Sequence, residues 1–149
     1  MDIFDGATQW GYCGCGFVLE LQKKWSFNGW MSGGLDTNYK VELVALRALL
    51  SFASSKGIMS SVVRGDSNFI IDWASRKVFM HSLLLQQWGF RVREVTNEYD
   101  SISYQHIYME LNVVIDLLSK KALQLQDGLL YMEEFKEDRS ISSFSIKYF

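Results

Sequence analysis

Proline is absent from this 149-residue sequence, and cysteine and histidine occur only twice each. Without proline or a Ser/Gly-rich tract nothing marks an extended linker, and the chain carries no internal repeat or low-complexity block. Cys13 and Cys15 stand two apart with no distant partner. They build no disulfide framework, and two thiols alone make no zinc site, so they read as reduced thiols on one face of a strand. Charge is sparse, at 21% of residues against 48% hydrophobic, a balance that excludes disorder. No apolar run reaches the roughly 18–20 residues of a membrane span, and the start has no signal-peptide pattern. The expectation is therefore an intracellular protein, of nucleus or cytoplasm, with no membrane partner. Basic residues are not in excess either: 15 Lys and Arg face 17 Asp and Glu, for a net charge of -2. That balance excludes a strongly cationic nucleic-acid coat but permits a local basic groove.

What is present is a change of period along the chain. Residues 2 to 5 are a very short apolar strand ending at Asp5-Gly6, and Cys13 to Leu21 is a second strand with glycines where another backbone comes close. Lys24 to Met31 alternates aromatic and polar residues, with Trp25, Phe27 and Gly29 on one face, and Ser32-Gly33-Gly34 ends it. Asp36, Thr37 and Asn38 then offer helix-capping side chains ahead of Val41 to Ala53, a helix apolar on nearly every side and so covered on both. A β-branched strand from Ser60 to Gly65 ends at Asp66. Helices follow from Ser67 to Arg76 and from Met80 to Asn97, the latter with Leu84, Trp88, Val92 and Val95 as its apolar face. Ser101 to Tyr108 is the fifth strand. Leu111 to Leu125 is the last helix, with Leu111, Val114, Leu118 and Leu125 along one side. The order β-β-β-α-β-α-α-β-α predicts an α/β domain over residues 1–125, a five-stranded mixed sheet flanked by helices. Residues 126–149 are a C-terminal extension, a hairpin turning at Lys136-Glu137-Asp138-Arg139.

Four carboxylates stand where the pattern does not explain them as surface decoration. Asp5 closes the first strand, Glu42 lies in the first turn of an otherwise apolar helix, Asp66 closes the fourth strand, and Asp116 interrupts Val113-Val114-Ile115 and Leu117-Leu118. Each has an ordinary explanation taken singly: a turn for Asp5, an N-cap for Asp66, a helix start for Glu42. If strand one neighbours strand four, however, Asp5 and Asp66 end side by side, and the helix-borne pair can reach them. Carboxylates gathered in one place repel and are tolerable as anions only with bound cations. Hard oxygen ligands favour Mg²⁺ or Mn²⁺, and two such ions about 3.5–4 Å apart form a phosphoryl-transfer clamp.

At Phe4-Asp5-Gly6-Ala7, Thr37-Asn38-Tyr39-Lys40-Val41-Glu42-Leu43, Gly65-Asp66-Ser67 and His106-Ile107-Tyr108-Met109-Glu110-Leu111-Asn112, with Asp116 and Leu118-Ser119-Lys120-Lys121 after it, the chain resembles type 1 ribonuclease H domains. The likeness is strongest to the plant group related to retroelement ribonuclease H and covers about residues 3 to 124 in order. It implies the ribonuclease H-like fold and a metal-dependent endonucleolytic cut of the RNA strand in RNA/DNA hybrids. The resemblance casts Asp5, Glu42, Asp66 and Asp116 as the metal-binding carboxylates, with one ion activating water and the other stabilising the leaving 3′ oxygen. It casts His106, ten residues before Asp116, as the mobile proton-handling histidine. Asn38, Asn68 and Asn112 fall where such domains contact the hybrid, and Gly6 and Ala7 let its backbone approach.

The departures carry expectations of their own. Gln9, Trp10 and Tyr12 fill a turn that is usually glycine-rich, with Trp10 a candidate for stacking on nucleic acid. Ile115 replaces a small alanine, and the short first strand suggests a domain cut from a longer polyprotein or a clipped gene; the expected state is a monomer or part of such a polyprotein. Only Arg76 and Lys77 remain where some members carry a basic protrusion, so weak substrate affinity with a steep salt penalty is expected. A second reading, from a different class, is a non-catalytic descendant that binds nucleic acid or a protein.

Overall fold

Short-period alternation from Asp2 to Leu35 produces three antiparallel strands, β1 (Asp2–Gln9), β2 (Tyr12–Gln22) and β3 (Trp25–Leu35). The computed structural model describes residues 2–9, 12–22, 24–35, 38–108, 113–124 and 129–147. After the meander come α1 (Asn38–Ser55), β4 (Ser60–Gly65), α2 (Asn68–Ala74), α3 (Leu83–Thr96), β5 (Ser101–His106) and α4 (Val113–Lys121), which tightens into a 3₁₀ turn at Ala122–Gln124. The chain then adds β6 (Leu129–Lys136) and β7 (Arg139–Lys147). The sheet has seven strands in the order β5-β4-β1-β2-β3-β6-β7, not the five expected. β4 and β5 run parallel to β1, and the other pairings are antiparallel.

Which helix covers which face follows from the glycines. A Cβ at Gly6 would meet Val41 and Glu42 of α1, whereas one at Gly14 or Gly16 would meet Leu118, Ser119 and Ala122 at the end of α4. Gly6 pairs with Cys15, the residue between those two glycines, so α1 and α4 lie on opposite faces of the sheet. α1 is buried nearly all round because the sheet lies under it and α3 over it. On that face the Phe52 ring lies between two others, tilted to Phe17 at a centroid distance of 6.2 Å and edge-on to Phe27 at 4.9 Å. Among the described residues no helix is long and apolar enough to cross a membrane.

Several expectations are corrected. β1 spans eight residues, because it continues through Gly6 and Ala7 opposite β2, so the first strand is not short. β3 runs on through Ser32-Gly33-Gly34 to Leu35, since its pairing with β2 persists past a bulge at Cys13/Gly14. Ser82 caps α3 through its hydroxyl, and Leu84 in the first turn is exposed while Trp88, Gly89 and Val92 are buried. Among the described residues of α4, Leu118 is buried as expected, but its buried companions are Ile115 and Ser119, and Val114 is exposed. Leu111 and Leu125 lie outside the described residues. The C-terminal hairpin lies where it was expected, but it is part of the main sheet: β6 pairs with β3 and buries Leu130 and Met132, and Glu137 and Asp138 turn the chain with positive φ of 53° and 61°. That pair of angles is the two-residue hairpin geometry which suits the twist of the flanking strands.

Candidate metal centre

Parallel pairing of Phe4 with Gly65 puts Asp5 and Asp66 at corresponding positions just beyond it, Asp5 midway along β1 where its pairing with β4 stops and Asp66 immediately after β4. Glu42 descends on them from α1, in its second turn, not the first as expected, because the helix already begins at Asn38. One carboxylate oxygen from each of Asp5, Glu42 and Asp66 lies within 4.8 Å of the others. Asp5 and Glu42 are buried, at 4% and 6% exposure, and Asp66 is half-buried. The Gly6 N–H donates to Glu42 Oε1 at 3.1 Å, and the Ser119 hydroxyl approaches Asp5 Oδ2 at 3.5 Å. Glu42 Oε2 is buried without a hydrogen-bond donor, and none of the three carboxylates forms an ion pair, among the described residues.

The electrostatics follow from that crowding. Burial, then the charge of Asp66, pushes the Asp5 carboxyl up to about 7. Burial, then the charge of Asp5, pushes Glu42 well above the usual carboxylate range. Crowded carboxylate oxygens with no cation beside them, one of them without a hydrogen-bond donor among the described residues, fit a hard divalent cation. The ordinary duties that single residues offered are filled by others. Ser67, not Asp66, caps α2, its hydroxyl accepting from Ile70 N–H. Glu42 is spent on a glycine N–H across the sheet, not on its own helix.

The remaining expected residues are distributed as follows. Asp116 lies in α4, three residues before Ser119, with its side chain outside the described residues. His106 ends β5 opposite Gly65, and its Nε2 lies 2.9 Å from the Asp66 carbonyl oxygen, with the Tyr108 ring edge-on to it at 5.5 Å. Asn68 opens α2 and is exposed. The open side of Gly6 is filled by α1, so the close approach this glycine permits is that of a helix. Ala7 and Asn38 sit in β1 and α1 with side chains outside the described residues, and Asn112 and Trp10 lie outside them altogether. Ser119 was given no role from the sequence; its signals are a hydroxyl three residues after Asp116 and its place in the run Leu118-Ser119-Lys120-Lys121.

A family model described as reverse transcriptase-like matches residues 4–122. Among solved structures, ribonuclease H1 from the halophilic archaeon Halobacterium salinarum superposes with a TM-score of 0.74 at 26% identity, covering 82% of this chain and 95% of that one. LC11-RNase H1, solved in complex with an RNA/DNA hybrid, gives 0.76 at 22% identity over 82% and 94%. The native protease-reverse transcriptase of prototype foamy virus gives 0.59 at 16% identity, over 85% of this chain and 21% of the viral one. The last two identities speak to the fold alone. No curated protein matches the chain.

Proposed function

The chain belongs to the reverse transcriptase-like family and is a type 1 ribonuclease H domain, and on that premise we propose that it is a divalent-metal-dependent endoribonuclease acting on the RNA strand of RNA/DNA hybrids. The observation that carries the reading is the cluster of Asp5, Glu42 and Asp66 oxygens within 4.8 Å of one another, with the Glu42 Oε2 atom lacking a donor. Asp5, Glu42 and Asp66 would hold Mg²⁺, or Mn²⁺, with Asp116 as the fourth carboxylate. Divalent cations held there would supply Lewis-acid activation for phosphodiester hydrolysis. The Gly6 N–H holds the Glu42 carboxylate in place, and the Ser119 hydroxyl approaches that of Asp5. His106, anchored against the Asp66 carbonyl, handles the proton at the leaving oxygen or helps product depart. Ala7, Asn38, Asn68 and Asn112 are the proposed contacts to the hybrid, reading 2′-hydroxyls and groove shape with little sequence preference.

The test is cleavage of an end-labelled RNA/DNA hybrid with Mg²⁺, Mn²⁺ or EDTA, beside Asp66→Asn. Metal-dependent cutting of the RNA strand that disappears in the variant establishes activity and site together. A folded protein that cuts nothing with any metal overturns the proposal in favour of a binding module. His106→Ala should slow turnover by about 10²-fold without ending it, the size of a lost general acid. Unchanged single-turnover and steady-state rates would return His106 to a structural role.

A further inference from the structure

A second polar concavity, of about 530 Å³, opens between the end of α2, the last turns of α3 and the edge strand β5. Its walls carry Arg76, Lys77, Arg93, Asn97, Ser75 and Tyr104, and no carboxylate lines it. Arg93 is accounted for by the fold: Nη1 and Nη2 donate to the carbonyls of Ala74 and Trp73 at 3.0 and 2.8 Å, and the guanidinium lies 4.1 Å over the Trp73 ring. Arg76 and Lys77 are not. They are exposed and form no ion pair among the described residues. Tyr104 supplies the sharper anomaly, a buried hydroxyl with no hydrogen-bond partner among the described residues.

We propose that this cleft is a phosphate-binding site distinct from the metal centre, with Arg76 and Lys77 supplying charge and the Tyr104 hydroxyl a hydrogen bond. A phosphate group satisfies every feature at once: it accepts from the orphaned hydroxyl and neutralises cations that are unpaired among the described residues. Arg76 lies close enough to Arg93 for their like charges to hold the Arg93 guanidinium below its ordinary range, after burial has already lowered it. An anion in the cleft relieves that repulsion. Its position suits a nucleic-acid strand. Tyr104 and His106 share one face of β5 two residues apart, about 7 Å along the strand, and His106 touches Asp66. A backbone phosphate and a free phosphate compound present the same chemistry here, and the test separates them.

The full chain is titrated in EDTA, so that no metal bridges the ligand, with inorganic pyrophosphate in one arm and an RNA/DNA hybrid in the other. Wild type is compared with the double variant R76Q/K77Q and with Tyr104→Phe. Pyrophosphate affinity should fall about tenfold in each. Thermal stability of Tyr104→Phe should hold or rise, because the substitution removes only an unsatisfied hydroxyl. If the cleft seats a backbone phosphate, hybrid affinity falls too and its log–log salt slope drops by about 1 in the double variant. Weakening of pyrophosphate alone assigns the cleft to a free phosphate compound. Unchanged affinity in both arms for both variants overturns the proposal. Because binding is read without metal, an inactive enzyme and an empty cleft are separate results.

Discussion

Ser67 holds the N-cap of α2 through its hydroxyl, which leaves the carboxylate of Asp66 with no capping duty and only the company of Asp5 and Glu42. Removing its charge therefore costs little and relieves repulsion: in EDTA, Asp66→Asn should melt at or above the wild-type temperature. Added Mg²⁺ should raise the melting point of wild type and not of the variant, since a ligand stabilises only the state that binds it. A variant that melts lower in EDTA would mark Asp66 as structural. Asp2 makes a contrasting case at the other end of β1. It is buried, accepts from the Ser61 hydroxyl, and burial raises its carboxyl above the usual value. A folded-state shift upward means the folded protein holds the proton more tightly than the unfolded chain. The stability this contributes is complete below the unfolded value near 3.8 and is lost as pH rises through the folded one. Asp2→Asn should accordingly be more stable than wild type at pH 7, with the gap closing toward pH 4; thermal melts at both values check the sign.

At the level of elements, α4 is held to the sheet by what β2 lacks. The space a Cβ would need at Gly14 is already taken by the Ser119 carbonyl oxygen, 2.1 Å away, and at Gly16 by Leu118 Cβ at 2.9 Å. Gly14→Ala should lever α4 off the sheet, at a cost of about 1–3 kcal/mol in urea unfolding. Because Asp116 and Ser119 ride on that helix, hybrid cleavage should demand more Mg²⁺ as well. An unaltered metal requirement would separate α4 from the metal centre. Here the pattern of residues was only partly legible. That β2 approaches another backbone could be read from its alternating glycines, but which backbone could not, because α4 follows more than ninety residues later. Val114 was expected on the buried side of α4 for a related reason. Val113, Val114 and Leu117 are as apolar as Ile115 and Leu118, and only the position of the sheet decides which of them are buried. In α3 the same ambiguity left Leu84 on the expected inner face although Ser82 starts the helix just before it.

For the molecule as a whole, the hairpin of β6 and β7 widens the sheet beyond the region that the family model matches, residues 4–122. It covers β3: Tyr131 stacks on Trp30, whose ring also meets the Lys121 ammonium at 4.1 Å, and Trp25 Nε1 donates to Glu134 at 2.7 Å. Ending the chain at residue 125 would strip Leu130 and Met132 from the core and leave β3 an open edge. The expected loss is on the order of 3–6 kcal/mol, from two buried side chains at about 1.5–3 each. Unfolding the truncated and full chains in urea measures it, and equal midpoints would make the hairpin an ornament. The order of strands and helices, the covered character of α1, and the identities of Asp5, Glu42 and Asp66 as carboxylates out of place were all set by local pattern, which propensity and hydrophobic period write into neighbouring residues. Their meeting within 4.8 Å, the pairing of a C-terminal strand with β3, and the unpartnered Tyr104 hydroxyl among cations were decided by the tertiary structure alone. Those depend on parallel register and packing between residues far apart in the chain, and no local period encodes a distance.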